Sequence, residues 1–419
     1  MTRVGIDAHK KSCTACVFND DDALASRPSK TFTFRTTKRG VSEFMEEVPR
    51  GSIVVIESST TGKVISRMLS PYYEVHMIAP PEKKPSVKTD KRDSERIVRE
   101  DMLGYVRRCY IPSPYIEGLR FIVSKQMEIG EKISRAKDQI HALLERNMLQ
   151  SEFEDLSDIF GAEGLERLSS IELSEQERTV LAMYLEELNL YTSQHKQIES
   201  EIAKVAEADG DCQILMSHPG IASFVAVAIK ARVGDDASRF PTKKHFSSYA
   251  GVVPKADNSG ERVSEHRPVK HGDDVLKYAL TCGVRGAVHA KASSAVKTFY
   301  LKQIAKGKSP QDAQVAAARK LSWIVWKMLT TKTRYAEEDE YLTARKTSKL
   351  SKIARKPLKH AVRPEDVPIL IRSLMPEAAV LQRYPENMHR MLGHHRGRGK
   401  NNDNSSNENI SQAGGVVEK

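Results

Sequence analysis

The sequence predicts an α/β domain at the N-terminus, a long helical segment after it and a second, mostly helical domain. Three observations lead to this fold class. Short apolar runs alternate with helix-like segments over the first 108 residues, charged helical stretches fill residues 113–209, and Ala/Val-rich helices follow. At roughly 150 residues per domain, 419 residues are enough for two or three domains.

The first 108 residues contain five strand-like runs and three helix-like segments. The strands are predicted at residues 4–6, 14–18, 30–37, 52–56 and 73–78. The helices are predicted at residues 37–48, 62–69 and 90–107. This β-β-β-α-β-α-β-α order predicts a meander followed by crossovers into parallel strands, with the fourth strand beside the first.

Two long stretches, residues 117–150 and 174–208, carry apolar residues at helical spacing among many Glu, Lys and Gln residues. Each exceeds 30 residues, which favours an antiparallel helical arm or coiled coil. We assign this segment, residues 111–210, a role as spacer or dimerisation arm rather than in chemistry.

Residues 211–334 form the second compact unit. It starts with His218-Pro219-Gly220-Ile221 between two helix-like segments, a pattern that resembles the helix-hairpin-helix, whose turn amides contact phosphates. A loop-rich stretch and further helices follow. Trp323 and Trp326 share a helix and are predicted to pack in the core. Residues 335–393 read as a basic extension and residues 394–419 as a disordered tail.

The composition excludes several classes of protein. With no apolar run near the ~18 residues of a membrane span, no apolar signal segment at the start and five scattered cysteines, we expect a soluble cytoplasmic protein. The net charge of +11 and pI of about 9.2 suggest a polyanionic partner. Cys13 and Cys16 have zinc-like spacing, but an extended strand would point their thiols to opposite faces.

Positive charge is concentrated in two places. Residues 332–400 contain 16 Lys/Arg against 8 Asp/Glu, and this surplus of +8 is most of the net charge of +11. The second cluster lies near the end of the α/β domain and comprises Lys83, Lys84, Lys88, Lys91, Arg92, Arg96, Arg99, Arg107 and Arg108. Both clusters are also compatible with an ordinary solvated surface.

Four carboxylates end predicted strands or begin a predicted helix. Asp7 ends the first strand, Glu57 ends the fourth, and Asp90 and Asp93 share one face at a helix start. Their convergence at the carboxyl edge of the sheet would suit Mg²⁺ or Mn²⁺, which bind oxygen ligands. Individually, each acid also has a structural explanation as a helix cap, a dipole partner or a turn acceptor.

These acids lie in three motifs: Gly5-Ile6-Asp7-Ala8-His9-Lys10, Val55-Ile56-Glu57-Ser58 and Lys88-Thr89-Asp90-Lys91-Arg92-Asp93. The motifs resemble the DEDD signature of an RNase H/RuvC-like domain in Piv-related insertion-sequence transposases, the bridge-RNA-guided recombinases. The resemblance covers about residues 2–330. It continues through His218-Pro219-Gly220-Ile221, Tyr249 to Pro254, Asn258-Ser259-Gly260 and Lys270-His271-Gly272-Asp273.

The resemblance implies a specific reaction. Asp7, Glu57, Asp90 and Asp93 would hold Mg²⁺, and Ser259 would attack a DNA phosphodiester to form a covalent phosphoserine link. It further implies double-stranded DNA at the element ends and target, a non-coding guide RNA, and homodimers or tetramers that act at the nucleoid. The region departs from the family pattern because Glu261 and Arg262 follow Gly260, where a Ser-Gly-Gly-Lys-like turn is usual.

Other functions remain open from the sequence. Asn-Ser-Gly is also a common turn, and Ser247, Ser248 and Ser264 are rival nucleophiles. A metal-dependent nuclease or junction resolvase would need the four acids but not Ser259. A non-catalytic nucleic-acid-binding protein would need neither. An actin-like ATPase is disfavoured because no Gly/Thr-rich phosphate loop follows Asp7.

Overall fold

A five-stranded mixed sheet forms the N-terminal part of the computed structural model, which describes residues 2–19, 27–80, 89–253, 258–259, 262–263 and 271–355. Its strands are β1 (Arg3–Ala8), β2 (Ser12–Phe18), β3 (Lys30–Arg35), β4 (Ile53–Glu57) and β5 (Glu74–Ile78). The strand order is β3-β2-β1-β4-β5. The first three strands pair antiparallel, and β4 and β5 continue parallel to β1. The predicted meander and the placement of β4 beside β1 are therefore confirmed.

Three helices cover the two faces of this sheet. The helices α1 (Lys38–Glu47) and α2 (Thr60–Leu69) pack on one face, and α3 (Asp90–Met102) packs on the other. Each begins with a Thr or Ser cap whose side chain accepts a backbone N–H. The predicted helix from Asp90 to residue 107 is too long. It ends near Gly104, whose φ of +68° turns the chain back beside β5.

Strand alternation decides which side chains meet α3. On β1, Val4 and Ile6 point into the core with α1 and α2, whereas Gly5 contacts Ser94 of α3. Asp7, two residues after Gly5, lies on the α3 face. The same alternation on β2 separates the cysteines, since Cys13 packs with α1 and Cys16 with α3. The prediction that the two thiols face opposite sides is confirmed.

Two long helices follow the sheet and pack against each other, α4 (Pro114–Arg146) and α6 (Glu175–Ala208), with the short α5 (Ala162–Ser170) between them in sequence. Both long helices were predicted. The C-terminal half of α4 and the N-terminal half of α6 share an apolar core with α5, whereas the start of α4 and the end of α6 join the core of the second domain. Whether they act as a coiled-coil arm stays a prediction.

The second domain is built almost entirely of helices around one apolar core. Its elements are α7 (Gly210–Met216), α8 (Ser223–Val233), α9 (Lys243–Tyr249), β6 (Asn258–Ser259), β7 (Arg262–Val263), α10 (Asp274–His289), α11 (Ala295–Ala305), α12 (Pro310–Thr331) and α13 (Glu340–Ala354). Trp326 packs against this core, as predicted. No helix among the described residues is long and apolar enough to cross a membrane.

The start of the predicted basic extension, residues 335–393, is packed into this core. Leu350 and Ala354 of α13 are buried in the core, and Ile353 packs against it. These three residues form one apolar stripe at helical spacing. The stripe was not recognised in the sequence because the residues around it are mostly basic. The rest of the extension and the tail lie outside the described residues.

We predict that Gly5→Ala destabilises the chain, because the added Cβ would lie 2.0 Å from the backbone oxygen of Ser94. Overpacking against backbone should lower the free energy of unfolding by about 3 kcal/mol or more, measured by urea denaturation. Gly130→Ala is the control, since its Cβ would meet nothing within 4 Å in α4. That change should stabilise the chain by about 0.5–1 kcal/mol. Equal effects of the two substitutions would contradict the packing argument.

Candidate active site

The four predicted acids converge where β1 and β4 end beside the start of α3. The register pairs Ile6 with Ile56, so Asp7 and Glu57 follow at the same carboxyl edge of neighbouring parallel strands. Asp90 is the first residue of α3, and Asp93 is buried one turn later. The structure thus brings together all four acids that the sequence singled out.

His9 lies between two of these carboxylates. Its Nε2 atom is 3.1 Å from Oδ2 of Asp7 and 3.4 Å from Oδ1 of Asp90. One ligand atom from each of the three residues lies within 4.8 Å of the other two. His9 was part of the quoted motif but was not among the predicted site residues. Its position two residues after Asp7 was the feature of the sequence that could have identified His9 as a site residue.

The electrostatics of Asp7 show how close the acids are. Burial raises the pKa of Asp7, His9 lowers it, and the negative charges of Asp93, Asp90 and Glu57 raise it further, with a net upward shift. Oδ2 of Asp7 and Oδ2 of Asp93 are buried and accept no hydrogen bond from the described residues. The four carboxylates are therefore close enough to interact electrostatically at this edge of the sheet.

Arg96 is a second residue that the site prediction left out. Its guanidinium lies 3.1 Å from Glu57, 3.6 Å from Asp93 and 2.6 Å from Glu100. Arg96 is three residues after Asp93 on α3, so helical spacing brings it to the same face. Sequence reasoning assigned it to a general basic cluster for nucleic acid, whereas here it neutralises part of the acidic cluster.

The residues present fit a hard divalent cation. The donors are carboxylate oxygens from two strand ends and one helix start. Among the described residues, the buried Oδ2 of Asp93 has no hydrogen-bond donor, and the group beside Oδ2 of Asp7 is the His9 ring at 3.1 Å. Buried unpaired carboxylates are costly unless a cation or a proton compensates them. Asp7, Glu57, Asp90 and Asp93 are the residues that could hold such an ion, and His9 lies within reach as a further ligand.

The segment that carries Ser259 starts and returns at one fixed point. Gly251 and Gly272 pack against each other with positive φ, and a Cβ on Gly272 would lie 2.5 Å from Cα of Gly251. Asp273 N donates to the carbonyl of Tyr249 at 2.8 Å beside this contact. The quoted Tyr249 and His271 motifs thus meet at the base of the segment.

Within that segment, Ser259 pairs with Arg262 across the short β6–β7 ladder. The neighbouring pair of the ladder is Asn258 with Val263. The side chain of Ser259 and the rival Ser264 lie outside the described residues. The rival Ser247 is fully buried and hydrogen-bonded to Ser322, which is unsuited to a nucleophile for DNA.

The His218-Pro219-Gly220-Ile221 turn does not form the exposed phosphate-binding surface that the sequence suggested. Every residue from Leu215 to Ile221 is buried. Gly220 packs against the carbonyl of Gly283, and its N–H donates to Nδ1 of His218 at 3.2 Å. The turn joins two helices as predicted, but its small residues serve close helix packing.

Buried contacts surround His218 in this turn. Lys346 of α13 donates to the carbonyl oxygens of Met216, His218 and Ile221, and the Tyr335 ring packs edge-on against the imidazole. Burial, together with the charge of Lys346, lowers the pKa of His218 to about 3. The His218 imidazole is therefore neutral in the folded protein at neutral pH.

We predict that His218 makes folding sensitive to acid. Between its ordinary pKa of 6.5 and the folded value of about 3, only the unfolded chain takes up the proton, so stability falls as the pH falls through this window. Between pH 6.5 and pH 5 the loss should reach about 2 kcal/mol. Denaturation at several pH values should show a shallower dependence for His218→Asn, whereas the exposed His245→Asn should behave like the parent. Parallel curves for all three proteins would contradict this assignment.

The chain is similar to insertion-sequence transposases. Residues 212–301 match the family described as Transposase IS116/IS110/IS902. The transposase for insertion sequence element IS1111A of Coxiella burnetii is 27% identical over 273 residues, which are 62% of this chain and 72% of that protein. An uncharacterized 43.6 kDa protein of insertion element IS110 from Streptomyces coelicolor is 33% identical over 143 residues, 34% of each chain.

The similarity also extends over nearly the whole of one relative. A probable family 20 transposase of Pseudomonas aeruginosa is 24% identical over 353 residues, covering 80% of this chain and 98% of that protein. The family match falls on α7 to α11, the domain that carries the Ser259 segment. The resemblance predicted from the motifs is thus confirmed, and the chain is related to the insertion-sequence transposases of the IS116/IS110/IS902 family.

Proposed function

We propose that this protein is an insertion-sequence transposase that cleaves and rejoins double-stranded DNA with a divalent metal ion and a serine nucleophile. The observation that carries the proposal is the convergence of Asp7, Glu57, Asp90 and Asp93 at one edge of the sheet. The relatives named as transposases support the choice of DNA as the substrate.

The sheet supports an RNase H/RuvC-like assignment for the first domain. An antiparallel β1-β2-β3 meander continues into parallel β4 and β5, and the acids stand at the ends of the two central parallel strands. Sites in open α/β sheets lie at this carboxyl edge. The alternation that points Asp7 and Glu57 toward α3 places them beside Asp90 and Asp93.

In the proposed reaction, the four carboxylates hold Mg²⁺ or Mn²⁺. When bound, such an ion stabilises negative charge that develops on phosphate oxygens. Arg96 holds Glu57 and Asp93 in position from the side of α3. His9 orients Asp7 and Asp90 toward each other across the front of the site.

Ser259 is the proposed nucleophile. Its Oγ loses a proton and bonds to phosphorus, while the bond from phosphorus to the leaving deoxyribose oxygen breaks. The result is a phosphoserine diester and a free DNA hydroxyl. Attack by a hydroxyl of another strand reverses the step and releases the serine, so the diester energy is kept for rejoining.

Guide RNA and assembly as a homodimer or tetramer stay predictions from the family resemblance. The acids and Ser259 lie in different domains. If the acids of one copy act with Ser259 of another, as the resemblance implies, assembly would be needed for chemistry.

We predict that Asp7→Asn weakens divalent-ion binding. Replacing this half-buried carboxylate removes a ligand and a negative charge, so Mn²⁺ affinity should fall at least about tenfold, measured by the loss of the free Mn²⁺ paramagnetic resonance signal. Glu95→Gln on α3 is the matched control, because Glu95 pairs with Arg99 instead of the acidic cluster. Unchanged Mn²⁺ binding in Asp7→Asn would refute the proposed metal site.

We predict that Ser259→Ala loses a covalent protein–DNA adduct while its Mn²⁺ binding is retained. The adduct is measured on denaturing gels with a nicked DNA duplex, which prevents religation. Ser248→Ala, an exposed serine on α9, should still form the adduct. DNA cleavage at the parental rate in Ser259→Ala would instead indicate a metal-dependent nuclease. DNA binding without any cleavage, even in the parent, would indicate a non-catalytic binding protein.

A further inference from the structure

Two cations converge on one tryptophan ring where α9 packs against α12. Nζ of Lys243 lies 4.6 Å from the centroid of Trp323, and the guanidinium carbon of Arg319 lies 5.5 Å from it. We call Lys243, Arg319 and Trp323 the α9–α12 cluster. Cation–π contacts of this kind contribute about 0.5–1 kcal/mol at exposed sites.

The ring that carries both cations is held firmly. Nε1 of Trp323 donates to Oγ of Ser247 at 2.9 Å, and this hydroxyl is 2.8 Å from that of Ser322. Both serines are fully buried. The indole orientation is therefore set by the interior of the domain, and both cations lie against a ring that is held in place.

The cluster has no anionic partner within the described part of the chain. No ion pair joins Lys243 or Arg319 to a carboxylate there, and Nε of Arg319 is buried without a hydrogen-bond acceptor. The sequence contains no Asp or Glu from residue 237 to 256 or from residue 313 to 336. An external anion bound beside these two positive charges would supply the partner that the described residues do not provide.

A phosphate group satisfies these donors best. A guanidinium presents a planar fork that matches two phosphate oxygens, and an ammonium adds a point charge beside it. Lys244 is exposed next to Lys243, so the positive surface continues along α9. A surface of this kind suits the repeating phosphates of a nucleic-acid backbone more than a single carboxylate.

We propose that the α9–α12 cluster binds the phosphodiester backbone of nucleic acid without reading its sequence, with Lys243 and Arg319 as the contacts and Trp323 as their positioning residue. This inference rests on the proposed function, because it assigns part of the substrate contact to the second domain. α9 ends two residues before Gly251, at the base of the Ser259 segment. A nucleic-acid backbone bound at α9 would therefore be bound by the same domain that carries Ser259.

The test measures binding of the full chain to a labelled 40-base-pair random duplex DNA, and in a second arm to a 40-nucleotide single-stranded RNA, at several salt concentrations with EDTA present. For Lys243→Gln with Arg319→Gln, the slope of log affinity against log salt should fall by about 1.8 on duplex DNA or about 1.4 on single strands. At 0.1 M salt the affinity should fall about 10- to 100-fold. The arm with the larger change identifies the nucleic acid that occupies the site.

The matched control removes two exposed lysines at the end of α11, Lys302→Gln in the helix with Lys306→Gln directly after it, and so carries the same change in net charge. Its slope should stay near that of the parent. Arg319→Lys keeps the charge but loses the fork, and it should bind between the parent and the double variant. Thermal melting checks that every variant folds.

An unchanged slope in both arms, or an equal fall in the α11 control, would overturn the proposal. A third arm measures binding to poly-glutamate as a probe for an acidic protein. A double variant that loses binding in that arm alone would also overturn the proposal. Because EDTA removes divalent ions, the result is independent of catalysis. Failure of the Ser259 adduct experiment would leave this binding result intact, and the reverse also holds.

Discussion

The close approach of α3 to β1 at Gly5 is the contact on which the candidate site depends. The glycine lets the backbone of Ser94 lie where any side chain would clash. Since Asp93 precedes Ser94 and Asp7 follows Gly5 by two residues, the same contact brings a helix carboxylate and a strand carboxylate together. If α3 lay further from β1 by the width of one side chain, Asp90 and Asp93 would be separated from Asp7 and Glu57.

Electrostatic compensation follows from this packing. Burial, together with the negative charges of the other three carboxylates, raises the pKa of Asp7. The guanidinium of Arg96 from α3 pairs with Glu57, and the His9 ring lies beside Asp7 at the end of β1. Among the described residues, Oδ2 of Asp93 has no hydrogen-bond donor. The cluster is thus suited to attract a cation, and in the second domain Lys243 and Arg319 beside Trp323 form no ion pair with a described carboxylate.

The acids could be predicted from the sequence because the same residues mark the ends of predicted strands. Asp7 and Glu57 end apolar runs, and a strand order with crossovers places such ends side by side. Sequence reasoning failed where a side chain's role depends on a distant partner. Arg96 was counted only in a basic cluster, the His218 turn was likened to a phosphate-contacting hairpin, and α13 was placed in a basic extension. In each case the deciding neighbour, Glu57, Gly283 or the core near Ser200, is far away in sequence.

The sequence by itself determined the order of strands and helices, the edge at which the acids stand and the relationship to insertion-sequence transposases. These follow from periodicity, strand ends and ordered motifs, all of which are local or linear properties. Only the tertiary structure decided which charges are compensated and which turns are buried, because burial and ion pairing depend on distances between residues far apart along the chain. That is why the acids could be predicted, whereas His9, Arg96 and the α9–α12 cluster required the fold.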